Sequence, residues 1–174
     1  MPMKRSPVLA ALLVLTACGY HLLGTGGAFP PTVKTVAVIP FERQVPVVKL
    51  EQRVTEAVTR ELARRVHVRV TSSKEGADAV LTGIITGYSV APLSFDSAGR
   101  ANRYQVTMTA RVLLVDRDGK KLFDSQGYHF NEVYERSLGP STYINQEVGA
   151  YDVVARDFAR ALVASMVEGG TDAK

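Results

Sequence analysis

Cys18 is the only cysteine in this chain, and only three histidines accompany it. A single thiol excludes an internal disulfide. One thiol and three scattered imidazoles also leave no four-ligand cysteine–histidine zinc site. None of His21, His67 and His129 has a carboxylate or serine at the spacing of a catalytic pair. The order Gly-x-Ser-x-Gly is absent, so the sequence shows no nucleophile elbow. Gly24-Thr25-Gly26-Gly27 lacks the Lys-Ser/Thr that would complete a phosphate loop. Asp116-Arg117-Asp118-Gly119 opens like a calcium loop, but Lys120 and Lys121 follow. Gly127 then stands at the twelfth position, where a bidentate glutamate is required. The stretch reads as a turn, and no metal or cofactor is expected. Basic side chains do gather: Arg100, Arg103, Arg111, Arg117, Lys120 and Lys121 stand against Asp116 and Asp118. A strand of about 12 residues would separate them by ~40 Å, which makes two patches at opposite ends of one strand. Either patch suits the phosphates of an anionic lipid.

The surroundings of Cys18 give the thiol a specific chemistry. Lys4 and Arg5 form a charged start, and Val8 to Ala17 follow as an apolar run interrupted only by Thr16. That run is about half of the ~20 residues a spanning helix needs, so residues 1–17 read as a secretory signal peptide. Leu15-Thr16-Ala17-Cys18 resembles the lipobox of bacterial lipoproteins. The resemblance implies that the Cys18 thiol carries diacylglycerol, that cleavage falls before it, and that the new amine is acylated, palmitate being the usual chain. Each buried CH₂ contributes about 0.8 kcal/mol and one chain anchors only marginally, whereas two or three chains anchor stably. Gly19 replaces the Asp that usually retains such proteins at the inner membrane, which implies outer-membrane delivery with the domain facing the periplasm.

The remaining chain must position whatever acts. Of its 174 residues, 46% are apolar and 22% charged, an ordinary globular composition that can hold a core without staples. The formal charge is +4; losing Lys4 and Arg5 from the 21 basic side chains leaves 19 against 17 acidic ones. That balance does not argue for a polyanion partner by bulk charge, so no nucleic-acid partner is expected and any electrostatic binding must come from local clustering. Residues 18–32 are Gly- and Pro-rich and read as a lipidated flexible tether. Residues 33–170 read as a single α+β domain. Val36-Ala37-Val38-Ile39 suits a strand covered on both faces. Leu50, Val54, Ala57, Val58 and Leu62 have helical spacing within 47–65, with Glu56/Arg60 and Glu61/Arg65 as pairs on the solvated side. Val66, Val68 and Val70 alternate with polar residues as a half-buried strand. Residues 79–90 form a β-prone run with Gly83 and Gly87 as sites for a bulge, and 91–102 a polar loop. From Tyr104 to Val115, Val106, Met108, Ala110, Val112 and Leu114 oppose Gln105, Thr107, Thr109 and Arg111. Asp116–Gly119 makes a hairpin turn, and Lys121–Phe130 returns as a polar strand near an edge. Gly139-Pro140 breaks the chain. Ile144, Val148, Tyr151, Ala155, Phe158, Leu162 and Met166 trace an amphipathic helix ended by Gly169-Gly170. The expected architecture is β-α-β-β-β-α, two helices packed on one face of a four-stranded mixed sheet.

This pattern is similar to the lipopolysaccharide-assembly lipoprotein family, LptE. The likeness rests on Cys18-Gly19-Tyr20-His21-Leu22 directly after the lipobox and on the order of elements. It also rests on Arg103-Tyr104 opening a strand that ends at Asp116 before Lys121-Leu122-Phe123. It implies a non-enzymatic protein that plugs the lumen of the LptD β-barrel in the outer membrane, helps it assemble, and assists lipopolysaccharide insertion. On that implication, Arg100, Arg103, Lys120 and Lys121 are the candidate lipopolysaccharide-binding residues. A second likeness competes. Val36–Phe41, a helix and Ala77–Gly83 also resemble periplasmic lipoproteins of the curli-secretion and peptidoglycan-synthase-activator type, which oligomerise or regulate a synthase. A periplasmic hydrolase would need a clustered acid, base or nucleophile, and no residues here are spaced for one.

Overall fold

The computed structural model describes residues 27–135 and 145–169, with side chains for all of these but 145–150. The first strand, β1 (Thr35–Val38), is buried on both faces, as its continuous apolar run predicts. Pro40 interrupts it. A two-residue strand, β2 (Glu42–Arg43), resumes the same line one step further along the sheet. The helix α1 (Leu50–Arg65) buries Leu50, Val54, Ala57, Val58 and Leu62. It starts three residues later than the apolar spacing predicts, because Lys49 takes a left-handed conformation (φ 63°) that turns the chain into the first helical residue. β3 (Arg69–Thr71), β4 (Ala79–Phe95), β5 (Ala101–Asp116) and β6 (Lys121–Glu135) follow, and α2 (Asn145–Glu168) closes the order.

The class is the expected one, two helices on a mixed sheet, but the sheet has six strands rather than four. The order is β3-β1-β4-β5-β6, parallel through β3, β1 and β4 and antiparallel through β4, β5 and β6, with β2 beside β4. The strand not foreseen is the short β2; the alternating valine stretch after α1, read as a strand but not counted among the four, pairs only through Arg69–Thr71, at the sheet edge. The expected loop at 91–102 is also mostly strand. Pairing runs on through Pro92↔Tyr104 and Ser94↔Arg103 to Phe95↔Ala101, which leaves a turn of only five residues. Thr86 and Leu93 are the extra residues that break the β4–β5 register, so the strand absorbs its bulges and keeps going. β6 is an edge strand, as its polar composition predicts.

Both helices lie on one face of the sheet. Phe158 of α2 is fully buried and meets Tyr128 and Phe130 of β6 edge-on, with ring centroids 5.6 and 5.9 Å away. Gly83 faces the same core, and the Phe41 ring occupies the space where any Cβ at that position would stand. The two ends of the sheet differ. Arg53 pairs with Asp152, and Tyr88 packs on Tyr151 at 5.9 Å, where the helices pass the middle of β4. At the other end, the start of the described chain docks: Ala28 is 4% exposed and its N–H donates to the Met166 carbonyl at 2.8 Å. The chain is thus tied to the fold several residues before Val33. The pairs on α1 come out unequally. Glu56 and Arg60 meet at 3.6 Å, but Glu61 is only 8% exposed and pairs with Arg64 rather than Arg65. It borders the apolar stripe, from which the nearer guanidinium of the next turn is the one in reach. The Gly139-Pro140 break lies outside the described residues.

Candidate interaction surface

Two turns with one design close the two ends of β5. In Asp96-Ser97-Ala98-Gly99-Arg100, the Asp96 carboxylate accepts the N–H groups of Ala98 and Arg100 at 2.9 Å and the Arg100 Nε at 3.0 Å. Gly99 supplies the positive φ of 71°. In Asp116-Arg117-Asp118-Gly119-Lys120, the Asp116 carboxylate accepts the N–H groups of Asp118 and Lys120 at 2.9 and 2.8 Å, and Gly119 has φ 80°. The expectation of a Gly119 hairpin turn holds, and the same Asp-x-x-Gly-basic pattern forms the other turn. The Arg100 N–H, followed by its guanidinium, holds the Asp96 carboxyl below its ordinary range.

The four candidate basic residues fall into two pairs that the fold keeps apart. Arg100 and Arg103 stand at one end of β5, and Lys120 and Lys121 at the other, so a strand of 16 residues, about 50 Å, separates them. Three of the four already have acidic neighbours. Arg100 pairs with Asp96 at 3.0 Å, Arg103 with Glu135 at 3.9 Å, and Lys121 with Asp124 at 2.6 Å. Among the described residues Lys120 has no ion pair. Arg117, also in the sequence cluster, pairs with Asp78. Asp78 in turn accepts the N–H groups of Lys34 and Thr35 at 3.0 and 2.9 Å, and these amides, ahead of Arg117, hold its carboxyl below the ordinary value. Cys18 and His21 lie outside the described residues. His67 is exposed and His129 sits 3.3 Å from the Thr109 hydroxyl, neither of them beside an acid.

Two features escaped the sequence reading. Val90, Leu93, Phe95 and Val133 are 42–61% exposed around the Arg100–Arg103 end. Leu93 and Phe95 come from the segment whose polar neighbours suggested a loop, and period-two counting through the bulge at Leu93 would have shown a strand. The second is the groove around Arg111, a residue the sequence placed on the polar side of its strand: it stands on the uncovered face of the sheet in a shallow groove of about 250 Å³ with Ile39, Glu42, Ile84, Leu113 and Gln126. The other groove, about 450 Å³ between β6 and α2, joins Arg65 and Arg160 to Glu132 and Asp157. Tyr134 donates its hydroxyl to Asp157 there at 3.3 Å, and burial, then the neighbouring carboxylates, push its pKa up. Among the described residues no three potential metal ligands come together, and no helix is long and apolar enough to cross a membrane.

The described residues form a two-layer α+β domain with a basic-and-apolar end and a second basic end. Comparison with known proteins places it further. The family model described as "LptE: Lipopolysaccharide-assembly" matches residues 33–168. The chain belongs to the LptE family. No curated protein matches it. Among solved structures it is similar to the PelC dodecamer of Paraburkholderia phytofirmans, with 14% identity, 84% of this chain and 94% of that chain covered, and a TM-score of 0.52. It is also similar to a hypothetical protein of Chlamydia trachomatis, with 13% identity, 82% and 99% covered, and a TM-score of 0.51. Both likenesses show a shared fold.

Proposed function

We propose that this chain is an outer-membrane lipoprotein, anchored through lipid on Cys18, that fills the lumen of the LptD β-barrel, helps it assemble and assists insertion of lipopolysaccharide into the outer leaflet. The observation that carries the reading is the family match, which spans nearly the whole described fold. The role is not enzymatic. The anchor and the fold are compatible in reach. Eight residues separate Cys18 from Gly27, and the nine steps of an extended chain between them cover at most about 30 Å. The docked Ala28 lies at the Lys120–Lys121 end, so that end stays close to the lipid and the Arg100–Arg103 end points about 50 Å further away. Basic residues at both ends are suited to lipopolysaccharide phosphates, with the exposed Phe95 and Leu93 beside Arg100 offering apolar contact to acyl chains.

The test is depletion of the chain in its native cell. Surface lipopolysaccharide falls while its synthesis continues, and the full lipidated chain extracted in mild detergent brings a large barrel with it. Normal surface delivery rejects the reading. Recovery of a cell-wall synthase or a homo-oligomeric ring instead of a barrel transfers the chain to the competing lipoprotein class. Cys18→Ser releases the chain from the membrane if the anchor is as proposed. Charge reversal at Arg100, Arg103, Lys120 and Lys121, made pair by pair, lowers lipopolysaccharide binding, and unchanged affinity rejects the assignment.

A further inference from the structure

Gly27 and Ala28 join the start of the fold to its last helix. The Ala28 N–H donates to the Met166 carbonyl at 2.8 Å, and Ala28 is buried. A Cβ at Gly27 would overlap the Val167 carbonyl oxygen, so the backbone passes α2 through a notch that only glycine fits. Phe29 packs against the core, and the Pro30 carbonyl accepts the Val33 N–H at 2.9 Å. Pro30 and Pro31 hold their φ near about −65°. Residues 27–33 therefore form a short, stiff strap from the notch beside α2 to the start of β1. The strap is more than a cap, because α2 has one of its own. Gly169, with φ 72°, ends the helix and donates its N–H to the Met166 carbonyl at 3.4 Å.

A plain tether would leave these residues free, since ordering them costs conformational entropy. What the strap changes is reach. Fifteen steps of chain lead from Cys18 to Val33, and fully extended they cover about 50 Å. Nine lead from Cys18 to Gly27, and they cover about 30 Å. The sheet falls between these reaches in its demand. β5 has 16 residues, so about 50 Å separates the 116–120 turn from the 96–100 turn. The notch lies at the 116–120 end, because α2 passes Tyr88 at Tyr151 and Phe130 at Phe158 before it arrives at Met166. A domain held only from Val33 has tether enough to stand on a bilayer on either end. A domain held at Gly27 does not: standing on the 96–100 turn would lift the notch about 50 Å, beyond what nine steps of chain can span.

We infer that Gly27 is a positioning residue: seated against Val167, it shortens the lipid tether and turns the 116–120 end of the fold toward the bilayer that holds the anchor. The Arg100–Arg103 end is thereby presented away from that bilayer. The inference rests on the lipid at Cys18 and not on the barrel. The test uses the full lipidated chain, alone, in vesicles of phosphatidylethanolamine and phosphatidylglycerol with an acceptor dye on their headgroups. With the Cys18 thiol alkylated, a donor dye goes to an introduced cysteine, Asp118→Cys in one preparation and Ala98→Cys in another, both at exposed turn positions. Energy transfer to the bilayer is at least twofold more efficient from position 118 than from position 98. Gly27→Val fills the notch, and Ala28→Pro removes the N–H that bonds Met166. Each lowers that ratio toward one while the chain stays on the vesicles, and each is read below its own melting temperature. A strap that served only to stabilise α2 would lower the melting temperature and leave the ratio unchanged. A ratio below twofold in the unsubstituted chain, or an undiminished ratio in either variant, overturns the inference while the anchor reading stands. If the chain carries no lipid and stays off the vesicles, the anchor reading fails and the inference falls with it.

Discussion

β5 builds two different surfaces from one strand. Val106, Met108, Ala110, Val112 and Leu114 are at most 5% exposed beneath the helices, while Gln105, Thr107, Thr109 and Arg111 alternate with them on the other side. Of the pairs on the helices that cover the first side, Glu56–Arg60 is exposed, while Glu61–Arg64 and Asp157–Arg160 stand at the margins of the buried stripe. The molecule therefore has a back with an exposed ion pair on α1 and a front whose ion pairs stand at its two ends. Burial explains the inner side of the sheet and solvation explains the back. Neither explains why the middle of the front, between the Arg103–Glu135 and Lys121–Asp124 pairs, keeps Arg111 as its charge.

The largest effect is expected where the inner side is densest. Phe158→Ala removes the ring that meets Tyr128 and Phe130 and should cost about 3–5 kcal/mol in denaturant unfolding. Thr107→Ala, across the same sheet, should stay within about 0.5 kcal/mol in the isolated chain. Comparable losses at the two positions would mean that the front is covered by the chain itself. Next comes Gly83→Val. A side chain there meets the Phe41 ring, and overpacking of this kind costs about 1–3 kcal/mol. Adding Phe41→Leu should return part of the loss. A double variant no more stable than the single would show that Phe41 is not what excludes a side chain at 83.

The inner side was legible in the sequence because its signal is periodic. The 3.6-residue spacing in Leu50–Leu62 and Tyr151–Met166 and the period of two from Val106 to Leu114 all reappear as buried faces. The misses came where the period slips. The extra residue at Leu93 shifts the alternation by one, and the last five residues of β4, 91–95, read as part of a polar loop. The short β2 pairs through two residues, too few to show any period, while the alternation of Val66, Val68 and Val70 marked a strand of which only Arg69–Thr71 pairs. The basic cluster was legible as two patches, but its ion pairs were not. Glu135 reaches Arg103 only through strand pairing, 32 positions along the chain, and Arg117 meets Asp78 in the same way.

Acid provides a subtler probe, because three carboxylates in turns and strand ends have folded-state pKa values below the ordinary 3.8. Asp78 is lowered by the Lys34 and Thr35 amides and then by Arg117, and Asp124 by Lys121 and then Gln126. A lowered folded-state pKa means that the unfolded chain takes up the proton first. The stabilisation is therefore complete above about pH 4 and is lost as pH falls through the depressed values. Urea midpoints measured between pH 6 and pH 2 should be level at the upper end and then drop. Asp78→Asn should lower the plateau and flatten the drop, and an unchanged slope would show that Asp78 does not contribute to it.

The smallest effect is expected at the exposed pair on the back. Glu56 and Arg60 are 69% and 70% exposed at 3.6 Å, and pairs of this kind contribute about 0.3–0.5 kcal/mol and are screened by salt. Glu56→Gln combined with Arg60→Gln should change stability by no more than about 0.5 kcal/mol and leave barrel recovery intact. A small stability change accompanied by a large loss of co-purified barrel would be the most damaging result for the contrast between front and back. It would mean that the back does more than face water, because a pair too exposed to matter for folding could lower recovery only by touching the partner.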